Sequence, residues 1–205
     1  MKKSQIILSK YSPLMMVDSV LQDNDGKEVE TPRVCSLCRC GESESKPLCD
    51  GTHASVGFDG TREDSEKGEI EYYEGKDVTI VYDRYLCMGA GYCGELESVF
   101  GTHDKPIYKP DAGSVEDIVT TIKKCPSGAL SYIIDGVHHK DYFNVTKIAV
   151  EKDGPYNCEG NITLIDDQDS DTLLPPMDHY TLCRCGGSKK KPICDGSHKD
   201  NGFKG

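Results

Sequence analysis

The sequence has no tryptophan and only four phenylalanines among its 205 residues, so large aromatic side chains contribute little to any core. Apolar residues make up 36% of the chain, which is a thin supply for one large core. Small domains that draw stability from something besides apolar burial are therefore expected. The longest apolar runs, such as residues 6–8, fall far short of the roughly 20 residues that span a membrane, so no membrane association is expected.

Positive charge is also scarce, because 24 Lys and Arg residues face 35 Asp and Glu residues and leave a net charge of −11. A field of that sign repels phosphate backbones, which argues against nucleic acid as a partner. Residues 1–5 are not followed by a long apolar segment, so no secretory signal is expected. These features predict a soluble, cytoplasmic protein.

Cysteine is the residue type that the sequence has in excess. There are 11 cysteines, an odd number, and several of them are separated by a single residue. Disulfides are not expected in a reducing cytosol, where clustered cysteines more often bind metal. Metal binding is therefore the first hypothesis for this chain.

An internal repeat defines the layout of the sequence. Residues 38–53 (CRCGESESKPLCDGTH) and residues 183–198 (CRCGGSKKKPICDGSH) align without a gap at an offset of 145, with 11 of 16 positions identical. The segment between the copies has other patterns: residues 78–82 alternate as a strand, and residues 115–122 carry the apolar spacing of an amphipathic helix. The sequence thus predicts an α+β protein.

Three domains are expected from this layout. Two small β-rich modules, each with one copy of the repeat, occupy residues 1–60 and 145–205, and an α+β insert occupies residues 70–140. A capping box at the start of the predicted helix, in which Ser114 precedes Asp117, supports the assignment of the insert.

Each copy of the repeat presents four side chains that bind metals. In an extended segment, residues two apart point the same way, so Cys38 and Cys40 can direct two thiolates at one site. Cys49 and His53 are four residues apart, which places them on one face of a helical turn. Asp50 is a good candidate for the N-cap of that turn. The second copy repeats the arrangement with Cys183, Cys185, Cys194, Asp195 and His198.

The spacing leaves two kinds of metal centre open. Zinc accepts three cysteines and one histidine, usually through hooks of the form C-x2–4-C, and would make the protein an interaction module without redox activity. A C-x-C hook suits a larger inorganic core, because a [2Fe–2S] cluster needs two ligands on each of two irons. Neutral imidazole in place of one thiolate removes negative charge and raises the reduction potential, as in Rieske centres. Imidazole also titrates near neutral pH, which would make such a cluster sensitive to acid.

Both copies resemble the CDGSH (NEET) iron–sulfur proteins through the pattern C-x-C-x2-S-x3-P-x-C-D-G-[S/T]-H. The resemblance implies one [2Fe–2S] cluster per motif, bound by three cysteines and one histidine. The ligands it implies are Cys38, Cys40, Cys49 and His53 in the first motif and Cys183, Cys185, Cys194 and His198 in the second. It also implies hydrogen bonding around the clusters by Ser43, Asp50, Ser188 and Asp195.

The middle segment carries a separate cysteine pattern. Cys87 and Cys93 form C-x5-C, and Cys125 begins the sequence C-P-S-G-A-L. Bacterial ferredoxins use C-x2-C-x2-C with a distant C-P, and here Ala90 takes the place of the middle cysteine. Residues 70–135 resemble the divergent single-cluster ferredoxin domains, which implies a cluster bound by these three cysteines. Three thiolates favour [3Fe–4S], and a [4Fe–4S] cluster with a fourth ligand from elsewhere is the alternative.

The resemblances imply an iron–sulfur protein that transfers electrons, or that hands over clusters or iron. A redox-sensing or pH-sensing protein is a further alternative. The expected partners are a redox protein or an apo-cluster acceptor, and the chain is expected to be a monomer with an internal pseudo-twofold axis or a homodimer. We find no nucleophile–base pair, so no catalytic residue is predicted; the alternative to a free carrier is an electron-transfer subunit of a larger oxidoreductase. The lysines at 189–191 could guide an acidic redox partner, or could simply form a solvated loop.

Overall fold

The computed structural model describes residues 3–61, 70–101, 107–166, 174 and 177–205. The chain divides into two compact units. Met1–Ser65 and Phe143–Gly205 together form the first unit, and Glu66–Tyr142 forms the second. Both repeat copies therefore belong to one unit, and the middle segment forms the other.

Short strands dominate the described part of the chain. The first segment contributes β1 (Gln5–Leu8), β2 (Leu14–Val17), β3 (Val20–Gln22), β4 (Glu28–Val29), β5 (Val34–Leu37) and α1 (Thr52–Ser55). The middle segment contributes β6 (Ile70–Glu74), β7 (Thr79–Asp83), α2 (Glu97–Phe100), α3 (Val115–Lys123), β8 (Leu130–Ile134) and β9 (Val137–His139). The last segment contributes β10 (Lys147–Val150), β11 (Tyr156–Glu159), β12 (Thr163–Asp166) and β13 (His179–Leu182). Three-residue and four-residue 3-10 turns cover Tyr92–Glu95, Pro110–Ala112 and Ser197–Lys199.

The first unit contains two sheets, and each takes strands from both repeat copies. One sheet has the strand order β12-β1-β2-β5, and the other has the order β13-β11-β10-β3-β4. β1 pairs with β12 in parallel, and β3 pairs with β10 in parallel. The second copy therefore adds one strand, β12, to the sheet of the first, and the first copy adds two, β3 and β4, to the sheet of the second. The prediction from sequence placed the copies in two separate modules, whereas in the structure they share both sheets. A single copy of about 60 residues buries little of its own surface, and shared sheets give both copies a common core.

Alternating burial explains why these short segments form strands. Ile6 and Leu8 of β1 and Leu14 and Met16 of β2 point into the core, while the intervening residues are only half-buried. This period of two is the pattern of a strand with one covered face. The pairing Leu14↔Leu37 in the first copy is matched by Tyr156↔Leu182 in the second. The two copies therefore repeat each other in strand pairing as well as in sequence.

The second unit is an antiparallel sheet with one packed helix. Its strand order is β6-β7-β8-β9, and α3 packs against β8. α3 begins after Ser114, whose hydroxyl accepts a hydrogen bond from the amide of Asp117 at 3.1 Å, and it buries Ile118 and Ile122 completely. The predicted helix at 115–122 is thus confirmed, and β7 confirms the strand predicted at 78–82. No helix among the described residues is long and apolar enough to cross a bilayer.

Candidate metal centres

The predicted ligands of the first repeat copy form two close pairs. Cys38 follows β5 directly, and its sulfur lies 3.7 Å from the sulfur of Cys40. Cys49 lies before α1, and its sulfur is 3.2 Å from Nδ1 of His53. Two sulfurs that are each about 2.3 Å from one tetrahedral metal lie roughly 3.7 Å apart, so the first pair has the spacing that one metal ion requires.

The second copy reproduces this arrangement. Cys183 and Cys185 have sulfurs 3.7 Å apart, and the sulfur of Cys194 lies 3.4 Å from Nδ1 of His198. Across the residues that the structure describes, no three His, Cys, Asp or Glu side chains converge on a single metal ion. The side chains of each copy are grouped two and two, and this donor set of three sulfurs and one imidazole would suit an iron–sulfur cluster.

The loop between the two pairs is held by Ser43 in the first copy and by Ser188 in the second. The Ser43 hydroxyl donates to the carbonyl of Leu48 at 2.7 Å and accepts from the amide of Ser45. Ser188 bonds to Ile193 and Lys190 in the same way. These hydrogen bonds join the serines to the loop backbone, so the serines position the hooks that carry the cysteines.

Asp50 and Asp195 clamp the two ends of the same loops. The Asp50 carboxylate accepts hydrogen bonds from the amides of Glu44 at 2.8 Å and Thr52 at 3.0 Å, and hydrogen bonds from Thr52 and Glu44 lower its pKa. Asp50 was the candidate N-cap predicted from the sequence, but the N-cap lies one residue later, at Gly51. Gly51 has a φ of 92°, which glycine adopts at little cost, and Asp50 bonds the first helical amide from the preceding position. In the second copy the N-cap is likewise Gly196 and not Asp195, and Asp195 accepts hydrogen bonds from the amides of Lys189 and Ser197.

The two hooks of the first unit are joined through their backbones. Cys40 and Cys185 form an isolated antiparallel bridge. A Cβ atom on Gly41 would lie 2.8 Å from the carbonyl oxygen of Cys185, and one on Gly186 would lie 2.6 Å from that of Cys40. Only glycine allows this approach, because both positions also have positive φ angles of 87° and 73°. Cys40 and Cys185, a predicted ligand from each copy, are therefore cross-strand neighbours.

The middle segment brings its three cysteines to one pocket. Cys87, Cys93 and Cys125 line a space of about 370 Å³ that is partly open to solvent, and Ala90 lines it as well. Burial raises the pKa of the Cys93 thiol, and the nearby sulfurs of Cys125 and Cys87 raise it further. Gly91 takes a φ of 92° where the loop turns into a short 3-10 segment, which lets the chain wrap the pocket. The pocket thus brings together three cysteine sulfurs that could bind an inorganic cluster.

Known families match all three regions. The family model described as "Iron-binding zinc finger CDGSH type" matches residues 13–54 and 153–199. The chain belongs to the CDGSH-type iron-binding proteins. The family model described as "Divergent 4Fe-4S mono-cluster" matches residues 73–135, between the two CDGSH motifs. The resemblances inferred from the sequence are confirmed, and the chain carries iron–sulfur binding domains of two kinds.

Curated relatives match only part of this CDGSH protein. The "Uncharacterized protein YjdI" of Escherichia coli strain K12 is 33% identical over 69 residues, which cover 32% of this chain and 87% of that protein. The protein of the same name from Escherichia coli O157:H7 gives the same values. No solved structure matches this chain.

The two CDGSH motifs differ in how deeply they lie. Cys49 and His53 of the first motif are half-buried, whereas Cys194 and His198 of the second are 1% and 8% exposed. Burial raises the pKa of the Cys194 thiol to about 12. The pair that presents sulfur and imidazole is thus open to solvent in the first motif and covered in the second.

Asn201 lies beside the second motif and was not among the residues predicted from the sequence. Hydrogen bonding from Cys183 lowers the pKa of the Cys185 thiol to about 5, and smaller contributions come from the amide of Gly187 and the side chain of Asn201. Position 201 aligns with Val56 in the first copy. The sequence therefore marks this residue only as a difference between the copies, whereas the predicted ligands are residues that the copies share.

Proposed function

We propose that this protein binds two [2Fe–2S] clusters and one [3Fe–4S] cluster and transfers single electrons between partner proteins. The observation that carries the proposal is the grouping of each set of CDGSH side chains into two pairs, one sulfur–sulfur and one sulfur–imidazole. When bound, iron–sulfur clusters of these types accept and return one electron. The ligands are those implied by the resemblance, with one motif for each [2Fe–2S] cluster.

The protein's own residues suit this role because they fix the ligand positions in advance. Backbone amides point at the predicted ligand sulfurs: Glu42 at that of Cys40, Gly51 at that of Cys49, and Gly187 at that of Cys185, over 3.4–3.5 Å. Such amides favour a negatively charged sulfur without any movement of the chain. The bridge between Cys40 and Cys185 adds a short covalent and hydrogen-bonded path between the two motifs, since paired Cα atoms lie roughly 5 Å apart.

For the middle domain we propose [3Fe–4S], with Cys87, Cys93 and Cys125 as ligands. The pocket lining supports this choice, because Ala90 stands in it at the position where C-x2-C-x2-C sequences have a cysteine. The matching family is named for a four-iron cluster, so [4Fe–4S] is the alternative and requires a fourth ligand. Oxidised [3Fe–4S] is paramagnetic and oxidised low-potential [4Fe–4S] is not, so electron paramagnetic resonance separates the two.

The test is anaerobic purification followed by a visible spectrum, metal and sulfide analysis, and electron paramagnetic resonance. We expect a coloured protein with about seven irons per chain, or about eight if the middle cluster has four, and almost no zinc. Reversible reduction and reoxidation without loss of iron would support an electron carrier. A colourless protein that contains zinc and no acid-labile sulfide would overturn the proposal.

Cluster transfer is a second candidate function, and the exposure of the first motif favours it. Cys49 and His53 are half-buried, so an acceptor protein has better access to that end of the first site than to Cys194 and His198. Incubation with an apo-ferredoxin tests this function directly. Loss of about two irons per donor chain, with the matching gain in the acceptor, would support transfer from one site. Full retention of iron in the donor would exclude it.

A further inference from the structure

The second CDGSH motif contains a side-chain hydrogen bond that has no counterpart in the first. Asn201 accepts a hydrogen bond from the amide of Phe203 at 3.1 Å through its Oδ1 atom. Because that oxygen is occupied by an N–H donor, the NH2 group of Asn201 points the other way, toward Gly187. The point where a Cβ atom of residue 187 would stand lies 2.7 Å from Nδ2 of Asn201 and 3.7 Å from the sulfur of Cys185. The sulfur of Cys185, a predicted cluster ligand, therefore has a backbone donor, Gly187, and the side-chain N–H groups of Asn201 lie on the same side of it.

Gly187 makes room for this asparagine. A Cβ atom at position 187 would lie 2.7 Å from Nδ2 of Asn201 and 3.7 Å from the sulfur of Cys185. In the aligned first motif the corresponding residues are Glu42 and Val56. The side chain of Val56 has no hydrogen-bond donor, and the residue is 50% exposed. The side chain of Glu42 begins with the Cβ atom for which the second motif has no room. The asparagine and the glycine thus form a two-residue feature that distinguishes one motif from the other.

Hydrogen bonds to cluster sulfurs and solvent exposure are two of the factors that set the reduction potential of an iron–sulfur centre. Reduction adds one negative charge, much of which resides on sulfur, so a donor to that sulfur stabilises the reduced form more than the oxidised form. Burial of Cys194 and His198 acts in the opposite direction, because it disfavours the more highly charged form. The surrounding charge, like the asparagine, favours a higher reduction potential in the second motif, since Lys189 and Lys190 stand where the first motif has Glu44 and Ser45.

We propose that Asn201, admitted by Gly187, gives the second [2Fe–2S] centre a higher reduction potential than the first. An electron received from a one-electron donor protein then passes from the first motif to the second, where it stays until a partner removes it. The electron lost at the first motif is the one gained at the second, and no proton moves and no covalent bond changes. This inference rests on the proposed function, because it requires that both motifs hold [2Fe–2S] clusters.

The test is a redox titration of the full, anaerobically purified chain, followed by electron paramagnetic resonance and visible absorption. The wild-type protein should show two separate one-electron midpoints from the [2Fe–2S] centres. In Asn201→Val the higher midpoint should fall while the lower one stays in place. We expect about a tenfold change in the ratio of reduced to oxidised centre at fixed potential, which corresponds to about 59 mV for one electron.

A second variant separates tuning from packing. Asn201→Asp keeps an oxygen that can accept the hydrogen bond from Phe203, but it has no N–H to donate to Cys185. The higher midpoint should fall at least as far as in Asn201→Val. A wild-type midpoint in Asn201→Asp would show that the asparagine acts only through packing, and would overturn the inference.

The reciprocal change tests the inference in the first motif. Glu42→Gly combined with Val56→Asn rebuilds the glycine–asparagine pair there and should raise the lower midpoint, beyond any rise in Glu42→Gly alone. Val56→Asn alone is the matched control and should leave that midpoint unchanged, since Glu42 occupies the space. A single shared midpoint in the wild type, or midpoints that no variant shifts while iron and sulfide stay intact, would overturn the inference. Wild-type protein without [2Fe–2S] absorption would instead overturn the proposed function.

Discussion

The first unit, which carries both CDGSH motifs, and the second unit, called here the middle unit, hold their predicted ligands by different means. In each CDGSH motif the predicted ligands come from two short hooks within 16 residues. The loop between the hooks is fixed by a serine hydroxyl that donates to a backbone carbonyl and by an aspartate that accepts from backbone amides. In the middle unit the ligands are spread from Cys87 to Cys125 and depend on a glycine-containing loop and on the end of α3. The predicted ligands of a CDGSH motif are therefore positioned by a short stretch of chain, and the motif occurs twice. The predicted ligands of the middle unit are positioned only when the whole domain packs.

The largest effect should come from Gly186→Ala, which tests whether the two CDGSH motifs depend on each other. The new Cβ would meet the carbonyl oxygen of Cys40 at 2.6 Å, and the positive φ adds strain. We expect a loss of stability of about 3–5 kcal/mol and loss of iron from both motifs, with the middle cluster retained. Denaturant titration and iron analysis measure these effects.

Gly26→Ala is the matched control for this prediction. Gly26 has a φ of 78° in the same unit, but a Cβ there meets nothing within 4 Å. It should therefore cost only the backbone strain, about 1–2 kcal/mol, and leave the iron content unchanged. Equal effects of the two substitutions would show that the bridge between Cys40 and Cys185 is not needed to hold the clusters.

A change of cluster type is expected from Ala90→Cys in the middle unit. This substitution restores the C-x2-C-x2-C spacing in a pocket that three cysteines already line. We expect the paramagnetic signal of an oxidised [3Fe–4S] cluster to disappear and the iron content to rise by about one per chain. Ala129→Cys adds a thiol to the same pocket outside that spacing and should keep the signal. A wild-type protein that lacks the signal would favour four irons from the outset.

A smaller effect, confined to the first CDGSH motif, is expected from Tyr156→Phe. The Tyr156 hydroxyl lies 2.7 Å from the carbonyl of Cys38 and 2.8 Å from that of Pro47, and the residue is fully buried. Leu14 holds the matching place in the strand pairing of the other copy and has no hydroxyl. Loss of this bond should cost about 1–2 kcal/mol and make the first cluster dissociate faster than the second.

Tyr180→Phe provides the comparison for that variant. Tyr180 is also buried, and its hydroxyl donates to the carbonyl of Ile162 at 2.9 Å. Ile162 lies outside the repeat at residues 183–198 that carries the predicted ligands. A similar loss of stability without faster release of either cluster is expected. If both variants release iron at the same rate, Tyr156 would be a general core residue and not a specific support of Cys38.

The sequence predicted those helices and strands whose patterns lie within a few consecutive residues. The helix at 115–122 has both an apolar stripe and a capping serine, and the structure contains both. The parallel pairing of Gln5–Leu8 with Thr163–Asp166 was out of reach, because strands about 160 residues apart leave no mark in either segment alone. The copies were for this reason assigned to separate modules.

The candidate sites divide in the same way. The side chains that pair in each motif could be named from spacing, because residues two and four apart determine which side chains meet. Asn201 could not be named, because its contact with Cys185 depends on a turn that brings position 201 beside position 187. The N-caps were missed by one residue because the sequence does not reveal that Gly51 and Gly196 adopt positive φ.

The smallest predicted effect concerns the charge difference between the two motifs. Lys189 is exposed and Lys190 is half-buried, whereas the first loop exposes Glu42 and Glu44. In Lys189→Ala combined with Lys190→Ala, reduction by an anionic reductant such as dithionite should slow about twofold at low salt, because the local potential becomes less positive. The difference should vanish near 1 M salt, where screening acts over roughly 3 Å. A rate that falls equally with a cationic reductant such as reduced methyl viologen would show that the variant alters the site itself and not its field.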